Sequence, residues 1–287
     1  MAGSTETMVF SMYGAIYDRG QHGFSLGTLC AFLEPLGVSA EASRLVLSRM
    51  ARKGYFRTRR KGRSSFYFLT DSGLAVIRRA EGRSLDRGPP QPWDGKFRLV
   101  SYEMPETMRD ARTELAAALR MAGFGRAAAG LWASAREAPD ELRRLLDSSP
   151  YRDVVTEYLA DLRGDAAAFA RRIWNVDAHR DRLARFVDAY RTQRFEFEAA
   201  AAAGRQPPPA ECFHRYFELL SDFVDTMASI PPIPAELLPE GWPAAEADEL
   251  FRSYRRLVGQ GAEAYVQGVY VPFDEGGPGG PEGVSSC

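Results

Sequence analysis

Residues 25–67 read SLGTLCAFLEPLGVSAEASRLVLSRMARKGYFRTRRKGRSSFY. Ser25 suits the N-cap of a helix over 26–33, because its hydroxyl can accept a bond from an early helical N–H. Pro35 and Gly37 end that helix in a tight corner. Ser39 caps the next helix, with Ala40, Glu41 and Ala42 in its first turn. At 100° per residue, Ala42, Val46 and Met50 share one face and are expected to point inward. Arg44, Ser48, Ala51 and Arg52 lie opposite. Small and cationic side chains there suit a helix lying in the major groove of DNA. Arg can donate two hydrogen bonds to a guanine edge, and Ser can bond a base or a phosphate. Arg49 lies to the side, where it would meet phosphate.

Gly54 ends this helix. Tyr55 and Phe56 then open a strand carrying Arg57, Arg59, Arg60, Lys61 and Arg63, with 61–63 as the turn and 65–69 as the returning strand. Five cations within seven residues repel one another unless an anion is near. A hairpin with a cationic tip is a wing, which reaches phosphate or the minor groove. Two helices, the second a recognition helix, followed by a wing make a winged helix-turn-helix. A helix over 8–17 is expected to pack behind it, with Gly20, His22 and Gly23 in the turn that follows. Thr70 caps a further helix, with Gly73 in its first turns and Arg78-Arg79 near its end.

Charge supports this division. The 287 residues carry 37 Lys and Arg against 38 Asp and Glu. Through Gly88 there are 14 basic and 7 acidic residues, net +7; the remainder has 23 and 31, net −8. Only the first part is therefore expected to meet a polyanion. The length leaves room for two or three domains. Three cysteines, Cys30, Cys212 and Cys287, are odd in number and far apart, which argues against a disulfide framework and for a reducing, cytoplasmic setting. The sequence has no 18-residue apolar run and no signal-peptide pattern, so no membrane partner is expected. No nucleophile elbow, phosphate loop, HExxH or paired-cysteine motif occurs. Cys212 and His214 are two apart and diverge on a helix; His22 and His179 stand alone. No catalytic residue, metal site or cofactor is expected.

Beyond a proline-rich linker at 88–92, a turn at 93–96 leads to a strand at 97–104. A helix follows at 108–122, with Leu115, Leu119 and Ala122 on one stripe, and Gly123 and Gly125 break it. A strand at 131–135 and a helix at 140–146 come next. Residues 154–162 read equally as strand or helix. This order suggests a ferredoxin-like α+β unit. The last part reads as helical: 165–174, 177–197 (Leu183, Phe186, Val187 and Tyr190 inward), 211–227 (Phe213, Phe217, Leu220 and Val224 as a stripe) and 245–258 (Leu250, Tyr254 and Leu257 inward). A helix end and loop are expected over 199–209, a proline-rich belt at 231–243 and a disordered tail from about 274. The expected fold is thus multidomain α+β: a DNA-binding domain over 1–88, a ferredoxin-like domain over 89–163 and a helical domain over 164–287.

Several segments together carry a resemblance. They are EPLGVSAEASRLVLSRMARKGYF at 34–56, PPQPWDGKFRLVSYEMPE at 89–106, GFGRAAAGLWAS at 123–134 and PPIPAELLPEGWP at 231–243. The sequence resembles the phenylacetate-catabolism repressor family, the PaaX-type regulators, from about residue 8 to about 265. The resemblance implies a homodimeric repressor that binds a pseudo-palindromic operator in double-stranded DNA. It also implies release by an aryl-acyl-CoA thioester, of which phenylacetyl-CoA is the type. Trp132, Arg171, Arg172, Trp174 and Tyr216 are candidates to bind that effector, since an acyl-CoA needs cations for its phosphates and an apolar slot for its acyl group. The middle domain is implied to be similar to a small ferredoxin-fold nuclease of CRISPR adaptation. That leaves an alternative, a metal-dependent nuclease using Glu103 at the end of the 97–104 strand.

Overall fold

A computed structural model describes residues 5–17, 23–84, 92–271 and 273. The expected turn at Gly20 and His22, most of the proline-rich linker, and the tail with Cys287 lie outside the described residues. The chain divides into two compact units. The first takes residues 1–81, 197–222 and 253–287; the second takes 82–196 and 223–252.

The first unit begins with helix α1 (Thr5–Tyr17), the short strand β1 (Phe24–Ser25) and helix α2 (Leu26–Leu33). Ser25 caps α2 as its sequence suggests, its Oγ accepting from the Thr28 N–H at 3.0 Å. The corner after α2 is a 3-10 turn closed by Gly37 at φ 79°. Ser39 Oγ then accepts from the Ala42 N–H at 3.2 Å and starts helix α3 (Ala40–Arg52). Caps of this kind contribute about 1 kcal/mol each. Strands β2 (Phe56–Lys61) and β3 (Ser64–Leu69) pair from Phe56↔Leu69 to Lys61↔Ser64, leaving Gly62 and Arg63 as the turn. β1 takes the other edge of β3, giving the order β1-β3-β2. Helix α4 (Asp71–Ser84) follows Thr70, whose Oγ1 accepts from the Gly73 N–H.

The buried face of α3 is Ser43, Val46, Leu47 and Met50. Ala42 and Ala51, expected on opposite faces, flank this arc on either side. Both are half-buried, and Ala51, expected outward, packs against the core instead. The inward arc is centred between Leu47 and Val46, about a quarter-turn from each alanine.

The second unit holds strand β4 (Lys96–Tyr102), helix α5 (Arg109–Met121), strands β5 (Gly125–Ala128) and β6 (Leu131–Ser134), helix α6 (Asp140–Leu146), strand β7 (Val155–Asp161) and helix α7 (Ala166–Trp174). The sheet is antiparallel throughout, in the order β5-β6-β4-β7. The ambiguous 154–162 segment is therefore a strand. Leu115, Leu119, Leu142 and Leu146 of α5 and α6 cover one face, over Val100 and Trp132. Ala170, Ile173 and Trp174 of α7 pack with Phe97 and Ala133 on the other.

Two glycines explain how α7 and the proline-rich belt come so close to the start of β5. A Cβ on Gly125 would lie 2.7 Å from the Ile173 carbonyl, and one on Gly123, at φ 87°, would lie 2.6 Å from the Pro232 ring. The Trp174 indole N–H donates to the Gly123 carbonyl at 2.9 Å.

Helices α8 (Val176–Ala202), α9 (Pro209–Ala228) and α10 (Ala244–Val269) complete the chain. Leu183, Phe186, Val187 and Tyr190 are buried, as expected. The last helix departs from expectation twice. It continues to Val269 rather than ending near Val258. Its inward stripe is Ala247, Leu250, Phe251, Tyr254 and Val258, which leaves Leu257 39% exposed. Leu257 falls about a quarter-turn off that stripe.

The first part of α9 and the last part of α10 belong to the first unit. There Phe213 stacks on Phe32 with ring centres 5.4 Å apart. The Tyr265 hydroxyl donates to the Ala31 carbonyl at 2.7 Å, and Thr28 Oγ1 donates to the Val269 carbonyl at 3.2 Å. No helix among the described residues is long and apolar enough to cross a membrane.

Candidate nucleic-acid interface

Burial of one face of α3 leaves Glu41, Arg44, Leu45, Ser48, Arg49 and Arg52 exposed. The flank of this surface is fixed from α1. Arg49 Nε donates to Glu6 at 2.8 Å, and Lys53 Nζ reaches both Glu6 oxygens at 3.0 Å. Lys53 first, and Arg49 with it, hold the Glu6 carboxyl below the usual carboxylate range. Arg49 thus keeps its place at the side of the helix with an acidic partner, whereas Arg44, Ser48 and Arg52 stand on the outer surface.

The hairpin beside α3 exposes Arg57, Arg59, Arg60, Lys61 and Arg63. Its two faces differ. Phe56, Tyr67 and Leu69 turn toward the core. Arg57↔Phe68 and Arg59↔Phe66 are cross-strand pairs, so these four residues share the other face. The Arg57 and Arg59 guanidiniums sit 5.5 and 5.6 Å from the centre of the Phe68 ring. Phe273, from the end of the described chain, meets Phe66 and Phe68 edge-on at 4.9 and 5.1 Å, and Lys61 Nζ lies 5.8 Å from its ring centre. Gly23 leaves room on this side, since a Cβ there would lie 2.5 Å from the Phe68 ring. Aromatic faces thus hold three of the five hairpin cations in place.

The nine residues assigned to DNA from the sequence are all exposed on α3 or on the hairpin that follows it. Glu6, Leu45 and Phe273 were missed. Leu45 could have been found, as an apolar side chain out of phase with the buried stripe of α3. Glu6 and Phe273 reach this region only through tertiary contacts and leave no local signal.

Of the five residues considered for an effector, the four in the second unit are not brought together in one place. Trp132 is buried against α5 and α6, its indole N–H directed at the Tyr102 hydroxyl and Arg120 over its ring. Trp174 is buried in the cluster on the other face of the sheet. Arg171 makes two bonds to Asp177, at 2.6 and 2.8 Å. Arg172 donates to the Ala127 carbonyl and lies over Phe169. Tyr216 belongs to the first unit and bonds Arg255. Glu103 follows the last residue of β4 and is exposed. Among the described residues, no three His, Cys, Asp or Glu side chains gather as a metal-holding group.

Three family models match the chain in succession. They are described as PaaX-like protein over residues 4–73, PaaX protein central Cas2-like domain over 90–169, and PaaX-like protein C-terminal domain over 174–268. The transcriptional repressor PaaX of Escherichia coli (strain K12) is 28% identical over 270 residues, covering 92% of this chain and 83% of that protein. A solved structure of an uncharacterised protein, Rv0674 from Mycobacterium tuberculosis, has the same fold at a TM-score of 0.56. It is 22% identical and covers 88% of this chain and 96% of that one.

Proposed function

Since the chain belongs to the PaaX family, we propose that it is a DNA-binding transcriptional repressor whose first unit presents a winged helix-turn-helix to its operator. The observation that carries this reading is the surface of α3 and its hairpin. An outer helix face bearing Arg44, Ser48 and Arg52 stands next in sequence to a ribbon with five exposed cations. In this reading α3 enters the major groove and these three side chains meet base edges. Arg49, Arg57, Arg59, Arg60, Lys61 and Arg63 anchor phosphates on either side, which fixes register without reading sequence.

The three-part division into DNA-binding, ferredoxin-like and helical domains belongs to the same proposal. It is supported by the three successive family matches and by the strand order of the second sheet. Family resemblance further supports a homodimer, with two recognition helices about 34 Å apart on a pseudo-palindromic site. It also supports release from DNA by an aryl-acyl-CoA thioester. Calorimetry with phenylacetyl-CoA and related thioesters tests that part; no heat with any of them removes it.

The DNA reading is tested by replacing Arg59, Arg60 and Lys61 with Ala and titrating duplex DNA against salt. Loss of three phosphate contacts should reduce the slope of log affinity against log salt by about 2.7 and weaken all sequences alike. An unchanged slope and affinity would remove the wing from the interface.

A further inference from the structure

We propose that Leu45 reads sequence by packing against the 5-methyl group of a thymine in the major groove. This rests on the DNA-binding reading above and adds to it an apolar contact alongside the polar ones.

Leu45 is 63% exposed. At 100° per residue, the direction opposite the centre of the buried face of α3 falls among Glu41, Leu45, Ser48 and Arg52. Leucine therefore stands in the middle of the outward surface, one turn before Ser48 and two turns before Arg52. A single exposed leucine is ordinary on a protein surface. This one is set apart by its company, since every other exposed side chain of α3 after Ala40, its first residue, is charged or carries a hydroxyl.

The surrounding charge selects the occupant. A protein groove closing over Leu45 would take Arg44 and Arg52 out of water, at a cost its own acids would have to offset. A DNA duplex offers phosphates to the cations and admits the helix between them. Within the major groove, the thymine methyl is the apolar group that a base pair presents. Burying one methyl against leucine corresponds to about fourfold in affinity.

The test uses the full chain. Bound sites are selected from duplex DNA with a randomised centre, and each thymine of the selected site is then replaced by deoxyuridine, which lacks only the methyl. The wild type should lose about fourfold at one thymine per half-site. Leu45→Ala should bind the thymine site as weakly as the wild type binds the uracil site, and should not distinguish the two. Leu45→Met should keep the preference. Non-specific affinity and the thermal midpoint of Leu45→Ala should stay at wild-type values, because neither charge nor core changes.

A selected site at which no thymine methyl matters overturns the Leu45 assignment and leaves the DNA-binding reading standing. So does a Leu45→Ala loss that is equal on thymine and uracil sites. Failure to select any sequence, with no salt-dependent binding to duplex DNA, overturns both.

Discussion

The backbone N–H of Trp93 donates to the Glu236 carboxylate at 3.0 Å, joining residues 143 apart in the chain. That bond is the main reason the Glu236 carboxyl lies below its ordinary pKa. It ties the turn that opens β4 to the 3-10 turn Ala235–Leu237, whose Leu237 is buried with Phe97 and Trp174. The WDG segment and the PAELLP belt, two separate sequence motifs, are therefore the two halves of one structural joint. All four tryptophans, Trp93, Trp132, Trp174 and Trp242, fall in the second unit, so indole fluorescence reports its unfolding alone. In urea titrations read this way, Leu237→Ala should cost about 2–5 kcal/mol. Glu236→Gln, which keeps a carbonyl acceptor, should move the midpoint far less. A Leu237→Ala midpoint equal to wild type would show that the joint does not hold this unit together.

Asp94 gives this joint a pH dependence. Both its oxygens bond Arg98, at 2.8 and 2.6 Å, and Oδ1 also accepts from the Lys96 N–H. The Arg98 bonds, then the Lys96 N–H, lower its pKa from 3.8 to about 2. The folded state thus binds the proton more weakly than the unfolded chain. The stabilisation is complete above the unfolded pKa and is lost as pH falls through the folded one. Thermal scans of wild type and Asp94→Asn should therefore differ at pH 5 and converge as pH approaches 2. A difference that persists unchanged at pH 2 would assign it to something other than this ionisation.

Glu6 restrains two cations beside the exposed face of α3. Glu6→Gln should add Lys53 to the phosphate contacts that Arg49 already makes in the proposed complex, raising non-specific DNA affinity and steepening the salt slope by up to about 0.9. Filter binding at several salt concentrations measures both. An affinity equal to wild type would mean that Lys53 stays out of reach of the backbone even when freed.

Phe273 closes the outer face of the hairpin. Phe273→Ala uncovers Phe66 and Phe68 and removes the ring over which Lys61 sits. Amide exchange in β2 and β3 should accelerate by about tenfold, while the sheet of the second unit keeps its wild-type protection. Unaltered exchange in the hairpin would leave Phe273 as a passive neighbour.

Local signals were legible in the sequence. Ser25, Ser39 and Thr70 each sit where a side-chain oxygen meets an N–H three residues on, a relation set by neighbours in the chain. The cationic face of α3 followed from the helical period alone. Features that depend on distant partners were hidden. β5 begins at Gly125, a residue that reads as a helix breaker, and it becomes a strand by pairing with β6. The last helix was expected over 245–258, and it runs on through Gly259 and Gly261 to Val269. In the fold Gly261 lets that helix approach Cys212, whose Sγ would lie 2.5 Å from an added Cβ. Gly261 is thus a point of close packing inside the helix.

The composition of the first unit sets an order of assembly during synthesis. Phe24 meets Tyr270 at 5.7 Å, Phe32 meets Phe213, and the hairpin aromatics meet Phe273. The first eighty residues leave the ribosome long before the side chains that cover them exist. A nascent chain must therefore carry these apolar surfaces uncovered until α9, α10 and Phe273 have been made. A message cut short before α10 would yield a basic, sticky fragment rather than a small autonomous DNA binder.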